Sequence, residues 1–365
     1  MSEASRKPYK SDLSQEQWNI LAPLLPKGKP GGRPREVNMR EILNTILYQL
    51  RTGCQWAYLP HDLLPKSTVY EYFAQWRDDG TWQRIMDRLR EQVREQEPLL
   101  GCQGGPDGLG DPAAALESVN EPTPPTTPAE VPCPANAIDP SIGRPDSASA
   151  APSNPDSKEP TAATPETVTG AAPPVGAPQA KRAATPSAGC IDSQSVKTTE
   201  VGGVKGIDGG KLVKGRKRHL LTDTLGLLIA VVVTAANVHD GVGGKILLKD
   251  IKPEDFPRLS AFFVDESYRH KEFQKFVASH GDGKWRLEFS KKKEAGEKGF
   301  KPVRIRWVVE RTHAWLNRNR RLSKDYERNT NSSESVIRIA AISQMVNRLA
   351  PKKTNPTFNY PKKAA

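Results

Sequence analysis

Apolar residues recur at helical spacing through the first hundred positions of the chain. Capping patterns precede two of these segments, in the pairs Ser14 with Gln17 and Asn38 with Glu41, and Gly53 follows the second. The second segment carries one apolar stripe, formed by Leu43, Ile46, Leu47 and Leu50. The pattern predicts a small helical domain of three or four helices over residues 10–97.

This order of short helices is typical of a helix-turn-helix domain, with residues 67–77 as the recognition helix. The basic loop at residues 27–35 would then contact the DNA backbone or the minor groove. A plain helical bundle without DNA is the alternative. The candidate DNA contacts of this domain are Arg33, Arg35, Lys66, Thr68 and Tyr70.

From residue 188 to about 350 the pattern alternates between strand-like and helix-like segments. The runs AGCIDSQSVK, KRHLLTD and LLIAVVVTAAN predict three successive strands, and a helix is predicted near residues 242–249. Two further predicted strands, SAFFVDESY and KWRLEFS, flank a short helix, and two long helices close the segment. Strands in meander order, followed by alternating strands and helices, predict an α/β domain.

Residues 98–187 have a different composition. Of the 32 prolines in the chain, 17 lie within residues 101–180, which contain no Phe, Trp or Tyr. Such a segment buries too little apolar surface to offset the entropy of ordering. We therefore predict a disordered linker or insertion here, and a basic tail over residues 351–365.

The net charge of +12 comes from outside the Pro-rich segment. Within residues 101–180, ten acids are accompanied by only two basic residues, Arg144 and Lys158. Residues 101–180 thus carry −8, and the rest of the chain carries +20. An excess of this sign predicts a polyanionic partner, and double-stranded DNA rather than a membrane. The sequence shows neither a secretory signal nor an apolar run long enough to span a bilayer, so we expect a cytoplasmic, nucleoid-associated protein.

Three acids occupy costly positions. Asp192 and Asp265 each follow the apolar run of a predicted strand, and Glu310 lies opposite the apolar side of its helix, together with His313 and Asn317. Two Asp and one Glu would form an all-oxygen site suited to Mg²⁺ or Mn²⁺, with two ions expected for phosphoryl transfer. Turn or helix-cap roles for the aspartates, and an ion pair between Arg306 and Glu310, are the structural alternatives.

A dense basic run follows the first strand of this domain and is expected to contact phosphate, with a solvated hairpin as the alternative. Its candidate DNA contacts are Lys214, Arg216, Lys217 and Arg218. Farther along, Asp240 in NVHDG is predicted to cap the following helix. The four cysteines form no C-x-x-C pair and are interpreted as free thiols.

The segments IDSQSVKT, FFVDESYRH and RWVVERTHAWLNRNRRLSKDYER, in that order, resemble the three motifs of bacterial insertion-sequence DDE transposases of the insertion sequence five type. The N-terminal segments LSQEQWNILAPLLP, GGRPRE, RTGCQW and STVYEYFAQW resemble the same family. The resemblance implies a ribonuclease H-like catalytic domain in which Asp192, Asp265 and Glu310 are the catalytic metal ligands. It implies a transposase that binds terminal inverted repeats, cuts the ends and joins the 3′ hydroxyl to target DNA.

In the family signature around the catalytic glutamate, which corresponds to Glu310, Arg306 matches the arginine. Val303 and Asn317 stand where the signature has tyrosine and lysine. Nearby basic residues are the candidates to hold DNA in their place, namely Arg318, Arg320, Arg321 and Lys324. A homodimer or higher assembly on DNA is expected. The departures leave two alternatives open: a catalytically impaired DNA-binding protein or repressor, and a metal-dependent nuclease.

Overall fold

The computed structural model describes residues 6–28, 36–97, 182–289 and 304–352, without the side chains of residues 304–306. The first two ranges are helical, as predicted. Their helices are α1 (Gln15–Leu21), α2 (Met39–Thr52), α3 (Lys66–Asp78) and α4 (Thr81–Gln96).

The ends of α1 and α2 follow the sequence signals. The Ser14 hydroxyl accepts a hydrogen bond from the Gln17 backbone N–H, and the Gln17 side chain accepts one from the Ser14 N–H. The Asn38 side chain caps α2, and Gly53 ends it in the left-handed region with φ of 74°. The predicted caps at these positions are confirmed.

The second half of the described chain contains a mixed six-stranded sheet. Strands β3, β1, β5 and β6 lie side by side in that order, and β2 and β4 both pair with β3. Strand β3 runs antiparallel to both β1 and β4, whereas β5 runs parallel to β1 and β6 runs parallel to β5. The strands are β1 (Ala188–Lys197), β2 (Gly206–Asp208), β3 (Val213–Asp223), β4 (Leu228–Ala235), β5 (Ala261–Val264) and β6 (Arg286–Phe289).

Helices cover both faces of this sheet, so the predicted α/β class is confirmed. Helices α5 and α6 bury Leu247 and Phe273 against one face, while α7 and α8 bury Val308 and Ile337 against the other. The four helices are α5 (Asp240–Leu248), α6 (Lys271–His280), α7 (Arg304–Asn317) and α8 (Thr330–Leu349).

The N-terminal helices share the second of these cores, because α4 packs against α8 and β4. Arg94 of α4 forms an ion pair with Asp223 at the end of β3, at 2.8 Å, and both side chains are fully buried. Gln83 donates to the Ile229 carbonyl at 3.0 Å, so polar contacts also join the two parts.

Residues 98–181, which include most of the predicted linker, and residues 353–365 of the predicted tail lie outside the described residues. The domain boundaries therefore stay predictions. Across the helices that the structure does describe, none has the length and apolar character needed to cross a membrane.

Candidate active site

Asp192 and Asp265 are brought together by the pairing of β1 with β5. These strands are parallel neighbours, and Cys190 is the partner of Phe263. Asp192 and Asp265 each follow two residues later, so continuing the same register places Asp192, in the middle of β1, beside Asp265, which directly follows β5. Because side chains alternate, both lie on the face occupied by Cys190 and Phe263, which is the face covered by α7.

Asp265 also organises the turn that follows its strand. Its carboxylate accepts a hydrogen bond from the Ser267 backbone N–H at 3.0 Å and so caps a short 3₁₀ helix, Glu266–Tyr268. The helix-cap alternative raised by the sequence is therefore present in the structure. It leaves a second carboxylate oxygen that does not take part in this bond, so capping does not preclude a role in the site.

Glu310 is presented by α7, which crosses β1 and β5. Val308, Val309 and Leu316 are buried on its inner side, whereas Glu310 is exposed. The Thr312 hydroxyl donates to the Gly226 carbonyl at 2.8 Å and fixes the helix to the turn between β3 and β4. This placement agrees with the helical-wheel prediction for Glu310.

His313 was predicted on the polar side of α7 with Glu310, and this was wrong. It is only 6% exposed, and its Nε2 atom lies 3.5 Å from a carboxylate oxygen of Asp192. His313 therefore links the helix that carries Glu310 directly to Asp192.

The oxygen donors of Asp192, Asp265 and Glu310 have the chemistry that Mg²⁺ or Mn²⁺ prefers. As they are placed, however, no three His, Cys, Asp or Glu side chains within the described ranges lie close enough to hold a metal ion. The residue types of this donor set fit a divalent ion.

A second polar network lies on the opposite face of β1, and sequence reasoning missed it. The Ser193 hydroxyl and the Lys217 ammonium donate to one carboxylate oxygen of Asp240, at 2.8 and 3.0 Å. Burial alone would raise the pKa of Asp240, but these hydrogen bonds and the Lys217 charge lower it below its ordinary value. The predicted cap role of Asp240 is corrected, because the His239 side chain caps α5 by accepting from the Gly241 N–H.

The basic run assigned to phosphate lies within β3, not in a hairpin loop. Arg216 is 1% exposed and pairs with Asp325 at 3.0 Å, while Arg218, equally buried, donates to the Leu322 carbonyl at 2.9 Å. Burial lowers the pKa of Arg218 to about 10. Arg216, Lys217 and Arg218 are thus internal, and we withdraw them as DNA contacts; Lys214 is exposed and stays a candidate.

The remaining candidate DNA-contact residues differ in their exposure to solvent. Lys66 and Tyr70 are exposed at the start of α3, with Thr68 half-buried between them. Arg321 is 6% exposed and donates to Glu327 at 2.8 Å, so it too is corrected to an internal role. Arg33, Arg35 and the Arg306 side chain lie outside the described residues, whereas three candidates near α7 are exposed: Arg318, Arg320 and Lys324.

Comparisons with known proteins match both halves of the described chain. A family model described as putative transposase of the IS4/5 family matches residues 13–86, and a model described as transposase DDE domain matches residues 183–345. The second range contains Asp192, Asp265 and Glu310.

Two relatives come from Burkholderia cepacia. The putative transposase for insertion sequence element IS402 is 32% identical over 120 residues, which is 31% of this chain and 54% of the relative. The chain thus matches about half the length of that protein. An uncharacterized 16.2 kDa protein of the same element is 27% identical over 140 residues, 36% of this chain and 94% of the relative.

No solved structure matches the chain. The order of the two family ranges agrees with the order of the motifs that first indicated the resemblance. Over these two ranges the chain is similar to transposases of insertion sequences.

Proposed function

We propose that this protein is a DNA transposase whose catalytic residues are Asp192, Asp265 and Glu310. The observation that carries the proposal is the register of β1 and β5. This register supports a site in which Asp192 of β1 lies beside Asp265, just after β5, under the helix that presents Glu310. The same sheet, in which antiparallel strands are followed by the two parallel strands β5 and β6, supports the ribonuclease H-like topology that the family resemblance implies.

The three carboxylates would hold divalent ions, Mg²⁺ or Mn²⁺, with two ions expected. Bound ions of this kind lower the pKa of an attacking hydroxyl and stabilise the oxygen that leaves a scissile phosphate. The chain supplies the fixed elements for this arrangement. Asp265 is oriented by its bond from Ser267, and the Nε2 atom of His313 lies 3.5 Å from a carboxylate oxygen of Asp192.

The proposed reaction has two phosphoryl transfers. In the first, water attacks the phosphate at the end of the element, the bond to the 3′ oxygen breaks, and that oxygen takes a proton to become a free hydroxyl. In the second, this hydroxyl loses its proton and attacks a target phosphodiester. A new phosphorus–oxygen bond forms as the target's own 3′ oxygen leaves, so no external energy source is needed.

Recognition of DNA is assigned to surfaces that remain exposed. The start of α3, with Lys66 and Tyr70, is the candidate for reading the terminal repeats. Lys214 and the exposed basic residues after α7 would hold the phosphate backbone. Joining two element ends requires two active sites, so a homodimer or higher assembly on DNA is part of the proposal.

The test is cleavage and joining of a labelled duplex carrying the terminal inverted repeat, with Mg²⁺, by the wild type and by Asp192→Ala. We expect the wild type to release a 3′ hydroxyl end and to join it to target DNA, and the variant to do neither. Cleavage without joining would indicate a nuclease, and binding without cleavage would indicate a repressor-like protein. Equal cleavage by both proteins would refute the assigned site.

A further inference from the structure

Two segments that are far apart in sequence meet at the C-terminal end of α7. One is the end of α2 with the loop that follows it, residues 51–55, and the other is the turn after α7, residues 318–324. Arg51 donates to the Arg318 carbonyl at 3.3 Å, and Arg321 donates to the Cys54 carbonyl at 3.3 Å. The first segment belongs to the helical part and the second follows Glu310.

The contact between these segments is close and depends on a glycine. Gly53 has φ of 74°, and a Cβ atom at this position would lie 3.1 Å from the Cβ of Arg320 and 3.2 Å from its carbonyl carbon. A side chain here would be strained by the backbone and crowded by the turn. The two segments are therefore packed against each other, with Arg321 buried between them and paired with Glu327.

The outer side of this contact is positively charged. Arg51, Arg318 and Arg320 are exposed, and in the part of the chain that the structure describes none of them forms an ion pair with a carboxylate. Exposed arginines on α4 differ, since Arg84 and Arg88 are paired with Asp79 and Glu91. Planar guanidinium groups without an acidic partner are suited to phosphate oxygens.

We infer that Arg51, Arg318 and Arg320 form one phosphate-binding surface, here called the joint surface, which holds the DNA backbone beside the active site. This inference rests on the proposed function and adds a role for the RTGCQW segment, which had none. At 1.5 Å per residue, the rise from Glu310 to Arg318 is about 12 Å. With about 3.4 Å per nucleotide along one strand, the joint surface would meet the backbone roughly three to four nucleotides from the cut.

A consequence is that the helical part and the catalytic part bind DNA as a unit. Phosphates held at the joint surface contact residues from both parts, and the packing at Gly53 fixes their spacing. The DNA-recognising helix is thereby held at a constant distance from the carboxylates.

The experiment measures binding of the full-length protein to a fluorescein-labelled duplex of arbitrary sequence, from about 50 to 200 mM salt. We expect Arg51→Gln, Arg318→Gln and Arg320→Gln each to reduce the slope of log K against log salt by about 0.9, the value for one lost phosphate contact. Arg51→Lys keeps the charge and should retain the slope. Arg88→Gln removes an exposed arginine of α4 that is already paired with Glu91, and as the matched control it should also retain the slope.

An Arg51→Gln slope equal to that of Arg88→Gln would overturn the inference while leaving the proposed function in place. Failure of the wild type to bind the duplex would instead count against the proposed function. Thermal unfolding of each variant shows whether it is folded. Arg320 makes no side-chain hydrogen bond within the described residues, so Arg320→Gln tests the same surface should Arg51→Gln fail to fold.

Discussion

The Asp265→Asn variant is expected to cleave DNA at least about 1,000-fold more slowly than the wild type, a loss of about 4 kcal/mol in transition-state stabilisation. Asparagine can still cap the 3₁₀ helix by accepting from the Ser267 N–H, so the local fold should be retained. What the substitution removes is the negative charge proposed to hold the divalent ions. Single-turnover cleavage of a labelled element end measures the rate.

The neighbouring Glu266 provides the control for this prediction. Its carboxylate is paired with Arg269 at 3.0 Å, and we assign it no catalytic role. Glu266→Gln should therefore cleave within about tenfold of the wild-type rate, or about 1.4 kcal/mol. If Glu266→Gln loses activity and Asp265→Asn keeps it, the catalytic acid of this strand has been misassigned.

The largest expected effect on stability is at the contact between α4 and β3. Arg94→Leu leaves Asp223 buried without its cation, and removing one partner of a buried pair costs about 3–5 kcal/mol. Asp223 also accepts from the backbone N–H groups of Leu225 and Leu227, which form the turn that receives α7. Urea denaturation of the full chain measures the change in the free energy of unfolding.

Arg88 on the same helix serves as the comparison. It pairs with Glu91 at 2.9 Å but is 69% exposed, and exposed pairs contribute only about 0–1 kcal/mol. Arg88→Leu should accordingly leave the unfolding free energy almost unchanged. Similar losses for the two variants would show that the buried pair does not join the helical part to the sheet.

Local signals predicted the elements of this fold well, because they depend on residues close in sequence. The caps at Ser14 and Asn38 and the end of α2 at Gly53 follow from side-chain and backbone preferences of single residues. The positions of Asp192 and Asp265 were informative for a similar reason. An acid directly after an apolar strand is costly unless it has a partner or a function.

The burial of basic residues in β3 could not be predicted from local sequence. A dense group of cations indicates a solvated surface, yet Arg216 and Arg218 are buried because their partners come from a segment about a hundred residues later. The Asp325 carboxylate and the Leu322 carbonyl satisfy groups that would otherwise be too costly to bury. The two arginines therefore hold the turn after α7 in place and leave phosphate to other residues.

His313 and Asp240 were missed for a related reason. The position of His313 was predicted from a helical wheel. A wheel shows the sides of a helix, but it does not show which side is covered by a neighbouring strand. Asp240 lies on the far face of β1, where only the pairing of β1 with β3 brings Lys217 and Ser193 to it. Neither contact has a sequence signature, because both depend on strand order.

Asp192, Asp265 and Glu310 are proposed to hold the same divalent ions. Binding of Mn²⁺ to the full-length protein, followed by electron paramagnetic resonance, tests this claim without depending on activity. We predict that Asp192→Asn, Asp265→Asn and Glu310→Gln each weaken Mn²⁺ binding at least about tenfold, or about 1.4 kcal/mol, while Glu266→Gln binds as the wild type does. A Glu310→Gln variant that titrates like the wild type would contradict the claim.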